Sequence, residues 1–209
     1  MIRQQLQQIR DSSIRASHLT DQLLALAMAD EADIAAKKER VQLDDVVTQA
    51  ILQRSALARQ SNIDLGALGV DVSCGVCANK ALTEGMLNNL LDNAMRYGKP
   101  VDGRVQEVTI ALNQTAEGID MVVQDNGPGI APEEYENIVK RGVQGANSSG
   151  SNQGVGLGLS IVTRYAELSG AKFWLQKAAQ GQGLEAHVLF VSAQYKAGES
   201  NRSPTENHR

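Results

Sequence analysis

The feature that most constrains this chain is the uneven distribution of its glycines. Eight of the 19 glycines in the 209-residue sequence fall between Gly127 and Gly158. Glycine has no Cβ, so it allows sharp turns and lets a backbone approach another group closely. We therefore expect this stretch to be where the chain bends or comes close to something else, with regular elements on either side of it.

Hydrophobic periodicity and capping residues predict these regular elements. A long helix is expected over the first thirty-odd residues, then helices from Asp44 or Asp45, from Thr83, and from about 159 to 168. Strands are expected at 41–43 and 62–65, and two hairpins should pair 105–113 with 119–124 and 172–177 with 184–191. The pattern predicts an α+β fold: a two-layer α/β sandwich, with mostly antiparallel strands against three helices, preceded by the long N-terminal helix.

Composition excludes several classes of protein. The formal net charge of −4 argues against a nucleic-acid-binding surface, because there is no basic excess to neutralise phosphates. No apolar run reaches the ~18 residues needed to span a bilayer, and no signal peptide opens the chain. Cys74 and Cys77 form a lone CxxC pair, which is weak evidence for zinc, and we expect both to be reduced thiols.

Three short segments carry candidate chemistry. In the second predicted helix, Asn89, Asn93 and Arg96 share one face, opposite a set of apolar residues. Carboxamide oxygens are suitable ligands for Mg²⁺ and an arginine suits phosphate, although a solvated polar face would look the same. The second segment, Asp125–Ile130, places a carboxylate at a strand end before a glycine turn. It could accept a hydrogen bond from an amino group such as that of adenine, or be a plain turn.

The third segment, Gly154–Ser160, opens a helix after a polar stretch. Backbone N–H groups at a glycine-rich helix start form an anion site. The segment is neither a Walker A loop, since the single Gly-Lys pair is followed by Pro100, nor a dinucleotide fingerprint, since no strand directly precedes its glycines. The polar stretch 148–153 is predicted to be part of a mobile lid.

In this order and on these elements, the three segments resemble the Bergerat-type ATP-binding fold of the catalytic domain of bacterial sensor histidine kinases. Residues 89–97 are similar to the N box of that family, 125–129 to its first glycine box, and 154–158 to its second. Residues 17–26 are similar to the second helix of its dimerisation and phosphotransfer domain. The resemblance implies a partial dimerisation helix at 1–36 and a catalytic ATP-binding domain with a mixed sheet at 41–192, and the polar tail 193–209 is predicted to be disordered.

The resemblance implies that ATP and Mg²⁺ are bound by the matched residues. Asn93 would coordinate the metal, Asn89 would assist at the triphosphate and Arg96 would contact phosphate, which makes Asn89 and Arg96 the catalytic candidates. Tyr97 would line the pocket and Asp125 would bind the adenine amino group. The remaining implied ligand-binding positions are Gly127 and Gly129 beside the base, Lys140 and Arg141 near the γ-phosphate, and Gly154, Val155, Gly156, Leu157 and Gly158 around the phosphates.

Two features depart from the family pattern. The Phe-rich box before the lid is replaced by Tyr135–Gly142, so the match of Lys140 and Arg141 is loose. The motif around the phosphoacceptor histidine is absent, and the three histidines are expected to lie on a helix surface or in a bundle contact, in a strand, and in the tail; they are His18, His187 and His208. We therefore expect a fragment that begins after the acceptor and does not phosphorylate itself in cis.

The implied function is that of a protein-histidine kinase domain, which transfers the γ-phosphate of ATP to a histidine on a dimerisation helix for relay to an aspartate of a response regulator. The resemblance also implies a homodimer in the full protein, a membrane link through segments outside this sequence, and a cytoplasmic location in a bacterial inner-membrane protein.

Three competing functions are compatible with the same segments. The first is an ATPase of the same fold, as in gyrase or Hsp90, which carries a glutamate where this chain has Asn89; a carboxamide cannot take a proton from water. The second is a non-enzymatic interaction module with a degenerate nucleotide pocket. The third is a serine-specific anti-sigma kinase of the same fold, which the N-terminal helix disfavours.

Overall fold

The computed structural model describes residues 37–135, 138, 158–179 and 182–192. The helix predicted at 1–36, the lid and the tail at 193–209 lie outside the described residues, so the predicted domain boundaries stay predictions. Within the described part, no helix is long and apolar enough to cross a membrane.

The described residues form seven strands, three α-helices and one short 3-10 turn. In chain order these elements are β1 (Glu39–Gln42), α1 (Leu43–Gln60), β2 (Ile63–Leu68), β3 (Gly75–Ala78), α2 (Lys80–Tyr97), β4 (Gln106–Gln114), β5 (Gly118–Asp125), the 3-10 turn (Pro132–Glu134), α3 (Gly158–Ser169), β6 (Lys172–Lys177) and β7 (Leu184–Val191).

The main sheet has five strands in the order β2-β4-β5-β7-β6. β2 pairs with β4 in parallel, and the other neighbours are antiparallel. Alternate residues of β4, such as Val108 and Ile110, are fully buried in the core that the sheet shares with the helices. The predicted α+β sandwich, with a mixed and mostly antiparallel sheet against three helices, is therefore confirmed.

Helix α2 forms the centre of the core. Its side chains Met86, Leu87 and Leu91 have no exposed surface, which confirms the predicted apolar face. The predicted start at Thr83 is wrong by three residues, because Asn79 caps the helix by accepting a hydrogen bond from the Leu82 N–H at 3.2 Å. Thr83 lies inside the helix, where its hydroxyl donates to the Asn79 carbonyl at 2.9 Å.

Helix α1 does not begin with an aspartate cap, so that prediction is wrong. Gln42 occupies the cap position without a side-chain hydrogen bond, and both aspartates lie in the first turn, where their negative charge favours the helix N-terminus. Asp44 is engaged elsewhere, since its carboxylate accepts a hydrogen bond from the Cys74 N–H at 2.8 Å. Later along α1, Arg54 donates through two nitrogens to one carboxylate oxygen of Asp92, which ties α1 to α2.

Both predicted hairpins are confirmed, β4 with β5 and β6 with β7. The strand predicted at 62–65 continues to Leu68 as β2, and β3 pairs with β1 as a separate two-stranded sheet. Helix α3 ends at Ser169, before Gly170, which has a positive φ of 68° as a C-terminal glycine commonly does.

Candidate active site

The end of α2 and the turn after β5 are in direct backbone contact. A Cβ placed on Gly98 would lie 2.6 Å from the Cβ of Asp125, and a Cβ placed on Gly127 would lie 2.6 Å from the Cα of Gly98. Neither position has room for a methyl group. The sequence therefore needs glycine at both. The helix end and the turn are two walls that meet beside Asp125, and we call this arrangement the Asp125 cradle.

Asp125 is the last residue of β5 and its carboxyl group points into this cradle region. Burial raises the pKa of the Asp125 carboxyl group, against the opposing effect of hydrogen bonds from the backbone N–H groups of Gly127 and Leu184. The Gly127 N–H lies 2.9 Å from the carboxylate oxygen. These two donors fix the orientation of the carboxylate, so it can accept a further hydrogen bond from a flat ligand that enters beside the glycines.

The turn between β6 and β7 packs against the backbone of Asp125. Gly183 has a φ of +104°, and a Cβ there would overlap the Asp125 carbonyl group. Gly129 has a φ of +70°, and its Cβ would lie 2.9 Å from the Gly183 carbonyl oxygen. Both glycines are thus required by backbone conformation and by close packing, which brings the Leu184 N–H within reach of the carboxylate.

Asn89 and Asn93 lie on the side of α2 that faces the start of α3. A Cβ on Gly158, the first residue of α3, would lie 3.1 and 3.2 Å from the two amide atoms of Asn93 and 3.5 Å from Oδ1 of Asn89. The Asn89 amide nitrogen donates to the Gly85 carbonyl at 2.9 Å, which orients the side chain. Two carboxamides and a helix N-terminus, which carries partial positive charge, therefore meet at one place.

Arg96 and Tyr97 lie in the last turn of α2 and are exposed, whereas Asn89 and Asn93 are half-buried. The guanidinium carbon of Arg96 lies 6.0 Å from the centre of the Tyr97 ring. The structure thus brings together Asn89, Asn93 and Gly158 at one end of the site and Gly98, Asp125, Gly127 and Gly129 at the other. The remaining predicted positions, Lys140, Arg141, Gly154, Val155, Gly156 and Leu157, lie outside the described residues.

Two carboxamides that the sequence patterns do not single out connect the end of α2 and the turn after β5 to the start of β4. Gln106, at the start of β4, donates to the carbonyl oxygens of Ala94 and Met95 in the last turns of α2. Asn126 bonds to the backbone on either side of Gln106. The available signal was the alternation of β4, because Gln106 takes a position that the pattern assigns to the apolar core.

The residues assembled here fit a nucleotide with a divalent cation. The Asp125 carboxylate, fixed beside the contact of Gly98 with Gly127, can accept a hydrogen bond from an amino group of a flat ring. The carboxamides of Asn89 and Asn93 offer neutral oxygen ligands next to a helix N-terminus that favours anions. No group of three or more His, Cys, Asp or Glu side chains that could hold a metal occurs among the described residues.

Comparison with known proteins gives concordant matches. A family model described as "Histidine kinase-, DNA gyrase B-, and HSP90-like ATPase" matches residues 79–194. Sensor protein QseC of Escherichia coli (strain K12) is 34% identical over 185 residues, which is 88% of this chain and 38% of that protein. Sensor protein kinase PmrB of Pseudomonas aeruginosa is 31% identical over 196 residues, 90% of this chain and 38% of that protein.

Among solved structures, the cytoplasmic segment of histidine kinase QseC superposes with a TM-score of 0.56 at 29% identity, covering 85% of this chain and 93% of that one. The chain thus spans 38% of the length of the two curated relatives, and it covers 93% of the solved cytoplasmic segment of a QseC histidine kinase.

Proposed function

We propose that this chain, which belongs to the histidine kinase-, DNA gyrase B- and HSP90-like ATPase family, is the ATP-binding catalytic domain of a sensor histidine kinase. The observation that carries the proposal is the Asp125 cradle. Gly98 and Gly127 approach each other without room for a side chain, and the carboxylate between them is oriented by two backbone N–H groups. An adenine ring packed beside this contact would direct its 6-amino group at Asp125.

The phosphates would lie toward the other end of α2. Asn93 would hold Mg²⁺, Asn89 would contact the triphosphate, and Arg96 would reach a phosphate from the last turn. The contact of both carboxamides with Gly158 supports this assignment, because it places them beside the N-terminus of α3. When bound, Mg²⁺ would neutralise charge on the β- and γ-phosphates. Lys140, Arg141 and residues 154–157 remain proposed lid-side contacts.

The reaction that follows is phosphoryl transfer to an imidazole nitrogen. A bond forms between that nitrogen and the γ-phosphorus, the bond from the γ-phosphorus to the bridging oxygen breaks, and ADP leaves. The chain's own residues act by positioning: Asp125 sets the base, and Asn89, Asn93 and Arg96 set the phosphates. The histidine would stand on a dimerisation helix of a homodimeric receptor, with relay to a response regulator. The full protein would place this domain on the cytoplasmic side of a bacterial inner membrane.

Hydrolysis of ATP is the competing activity, and Asn89 argues against it. An ATPase needs a general base within hydrogen-bond reach of the attacking water. Asn89 carries a carboxamide, whose nitrogen already donates to Gly85, and this group does not accept a proton at neutral pH. We therefore propose slow hydrolysis in the absence of an acceptor helix.

The test is phosphorylation in trans. The chain is incubated with Mg²⁺, γ-labelled ATP and a dimerisation domain that carries the acceptor histidine from a close relative. The expected product is acid-labile phosphohistidine on that domain. Asn93→Ala should abolish it, while the control Asn113→Ala, at the exposed far end of β4, should not. Rapid phosphate release without the acceptor would favour an ATPase, and failure to bind ATP would favour a non-enzymatic module.

A further inference from the structure

Gln106 links the sheet to the end of α2. Its side chain is 8% exposed, and its amide nitrogen donates to the carbonyl oxygens of Ala94 at 2.9 Å and Met95 at 3.0 Å. The Ala94 carbonyl also accepts from the Gly98 N–H at 2.8 Å, whereas carbonyl groups of the last turn, such as that of Met95, lack partners within the helix. The Gln106 amide supplies a partner from β4, so the end of α2 is held at a fixed distance from the start of that strand.

Asn126 links the turn after β5 to the same point on β4. Its amide nitrogen donates to the Val105 carbonyl at 2.9 Å, and its amide oxygen accepts from the Glu107 N–H at 2.8 Å. Its own backbone N–H donates to the Glu107 carbonyl at 3.3 Å. Asn126 therefore continues the pairing of β4 and β5 beyond the last strand residue, and it forms hydrogen bonds with the residues on both sides of Gln106.

The two carboxamides thus form a continuous connection between the walls of the cradle. One wall is the end of α2, held through Gln106; the other is the turn that carries Asp125 and Gly127, held through Asn126. Both connections meet at residues 105–107. The end of α2 and the turn are thereby held against each other, and the contact between Gly98 and Gly127 involves backbone alone.

We propose that Gln106 and Asn126 are positioning residues that set the placement of Asp125 in the cradle and thereby the selectivity for a purine with a 6-amino group. The inference rests on the proposed function and extends it by naming the side chains that decide base selectivity. Neither residue touches the base; both act through the position of Asp125 relative to Gly98. A change in that position lengthens or bends the hydrogen bond between the amino group and the carboxylate and so weakens it, while the phosphate end of the site stays in place.

The experiment compares ATP with inosine triphosphate, which carries an oxo group in place of the 6-amino group. Affinities are measured by calorimetry for the wild type, Gln106→Met and Asn126→Asp. The methionine removes both hydrogen bonds to α2 at similar volume, and the aspartate keeps the bond from Glu107 but loses the donor to Val105. Matched controls are Gln114→Met and Asn113→Asp, which make the same changes at the exposed opposite end of β4.

We expect both variants to lose about tenfold in ATP affinity, the equivalent of one or two good hydrogen bonds, with inosine triphosphate affinity changed by less than about twofold. General destabilisation of the fold would instead lower the affinity for both nucleotides by the same factor. Because Gln106 is buried, Gln106→Met is the variant more at risk of misfolding, and Asn126→Asp, which is half-buried, then decides the test.

Unchanged discrimination between the two nucleotides in the folded variants would overturn the inference and leave the proposed function standing. Equal affinity of the wild type for both nucleotides would also overturn the inference and leave the proposed function standing. A wild type that binds neither nucleotide would overturn the proposed function, and the inference with it.

Discussion

Asp125 is the residue at which stability and ligand binding oppose each other. Burial raises the pKa of its carboxyl group, so the charged form is less favourable in the folded chain than in the unfolded one. Stability linked to this group is therefore highest at low pH. It is lost as the pH rises from the ordinary value of 3.8 through the higher folded pKa. The folded protein thus retains a carboxylate that costs stability at neutral pH, which is typical of a binding residue.

We expect Asp125→Asn to raise the free energy of unfolding at neutral pH while weakening ATP binding by about tenfold or more. The amide carries no charge, so its burial costs less, but it offers a weaker acceptor to the adenine amino group. Urea denaturation and calorimetric titration measure the two effects. The control is Asp64→Asn, an exposed position on β2. Unchanged ATP affinity would show that Asp125 does not bind the base.

His187 is a second buried titratable residue, on the sheet face opposite the helices. Burial lowers the pKa of its imidazole, but the hydrogen bond and charge of Asp120, followed by those of Glu185, outweigh burial and raise the pKa overall. The Asp120 carboxylate lies 2.9 Å from Nδ1, the Glu185 carboxylate lies 3.4 Å from Nε2, and the ring stacks on Trp174 at 4.6 Å. The sequence predicts an ordinary sheet position for this histidine, and its location in β7 is confirmed.

The raised pKa predicts the sign of a pH effect on stability. Protonation of His187 stabilises the fold fully below the unfolded pKa of 6.5, and this contribution is lost as the pH rises through the folded value. We expect the free energy of unfolding of the wild type to fall over that window. His187→Gln, which does not titrate, should flatten the profile. Denaturant unfolding at several pH values across this window measures the free energy of unfolding of both proteins. Equal pH dependence in the two proteins would contradict the role given to His187.

At the scale of elements, α2 and α3 approach each other closely because glycines lie between them. A Cβ on Gly85 of α2 would lie 2.6 Å from the ring of Tyr165 in α3, and Gly158 lies against the carboxamides of Asn93 and Asn89. A side chain at either glycine would push the helices apart or displace the groups opposite. The close approach fixes the carboxamides relative to the N-terminus of α3.

Gly158→Ala tests this contact. The added methyl would lie 3.1 Å from the Asn93 amide nitrogen, so the carboxamide has to move by a few tenths of an ångström. We expect Mg·ATP affinity to fall about fivefold, with no loss of thermal stability, because alanine favours a helix over glycine by up to ~1 kcal/mol. Gly66→Ala is the matched control, since its Cβ would have no neighbour within 4 Å. Affinity unchanged in Gly158→Ala would remove Asn93 from the proposed cation site.

At the scale of the whole molecule, the site joins segments that are far apart in the chain. The end of α2, the turn after β5, the start of α3 and the β6–β7 turn each contribute a group that contacts another of them. A ligand that bridges these segments binds the folded chain and not the unfolded one. Its binding free energy is therefore added to the stability of the fold.

We expect Mg·ATP at 100 times its dissociation constant to raise the free energy of unfolding by about 2.7 kcal/mol. Chelation of Mg²⁺ with EDTA should remove most of this gain, and Asn93→Ala should show the same small gain with and without EDTA. Urea denaturation at matched ATP concentrations measures each case. The same stabilisation of the wild type with and without Mg²⁺ would contradict a role for the cation.

Several features of this protein were predictable from its sequence because they depend on neighbours in the chain. Alternation of apolar residues located the β4–β5 and β6–β7 hairpins, and helical spacing placed Asn89, Asn93 and Arg96 on one side of α2. The glycine turn after Asp125 was equally local. In each case the physical signal, a period of two or of 3.6 residues or a positive φ, is contained in a short segment.

The remaining features were decided by tertiary packing. The sequence predicts an aspartate cap for α1 and a start of α2 at Thr83, but Asp44 instead accepts from Cys74, 30 residues away, and Asn79 caps α2 three residues earlier. Gln106 looks like a polar interruption of a strand until α2 supplies two carbonyl partners. Such hydrogen bonds depend on which elements pack together and at what distance. Local patterns specify the donor and the acceptor, and the packed structure alone specifies their pairing.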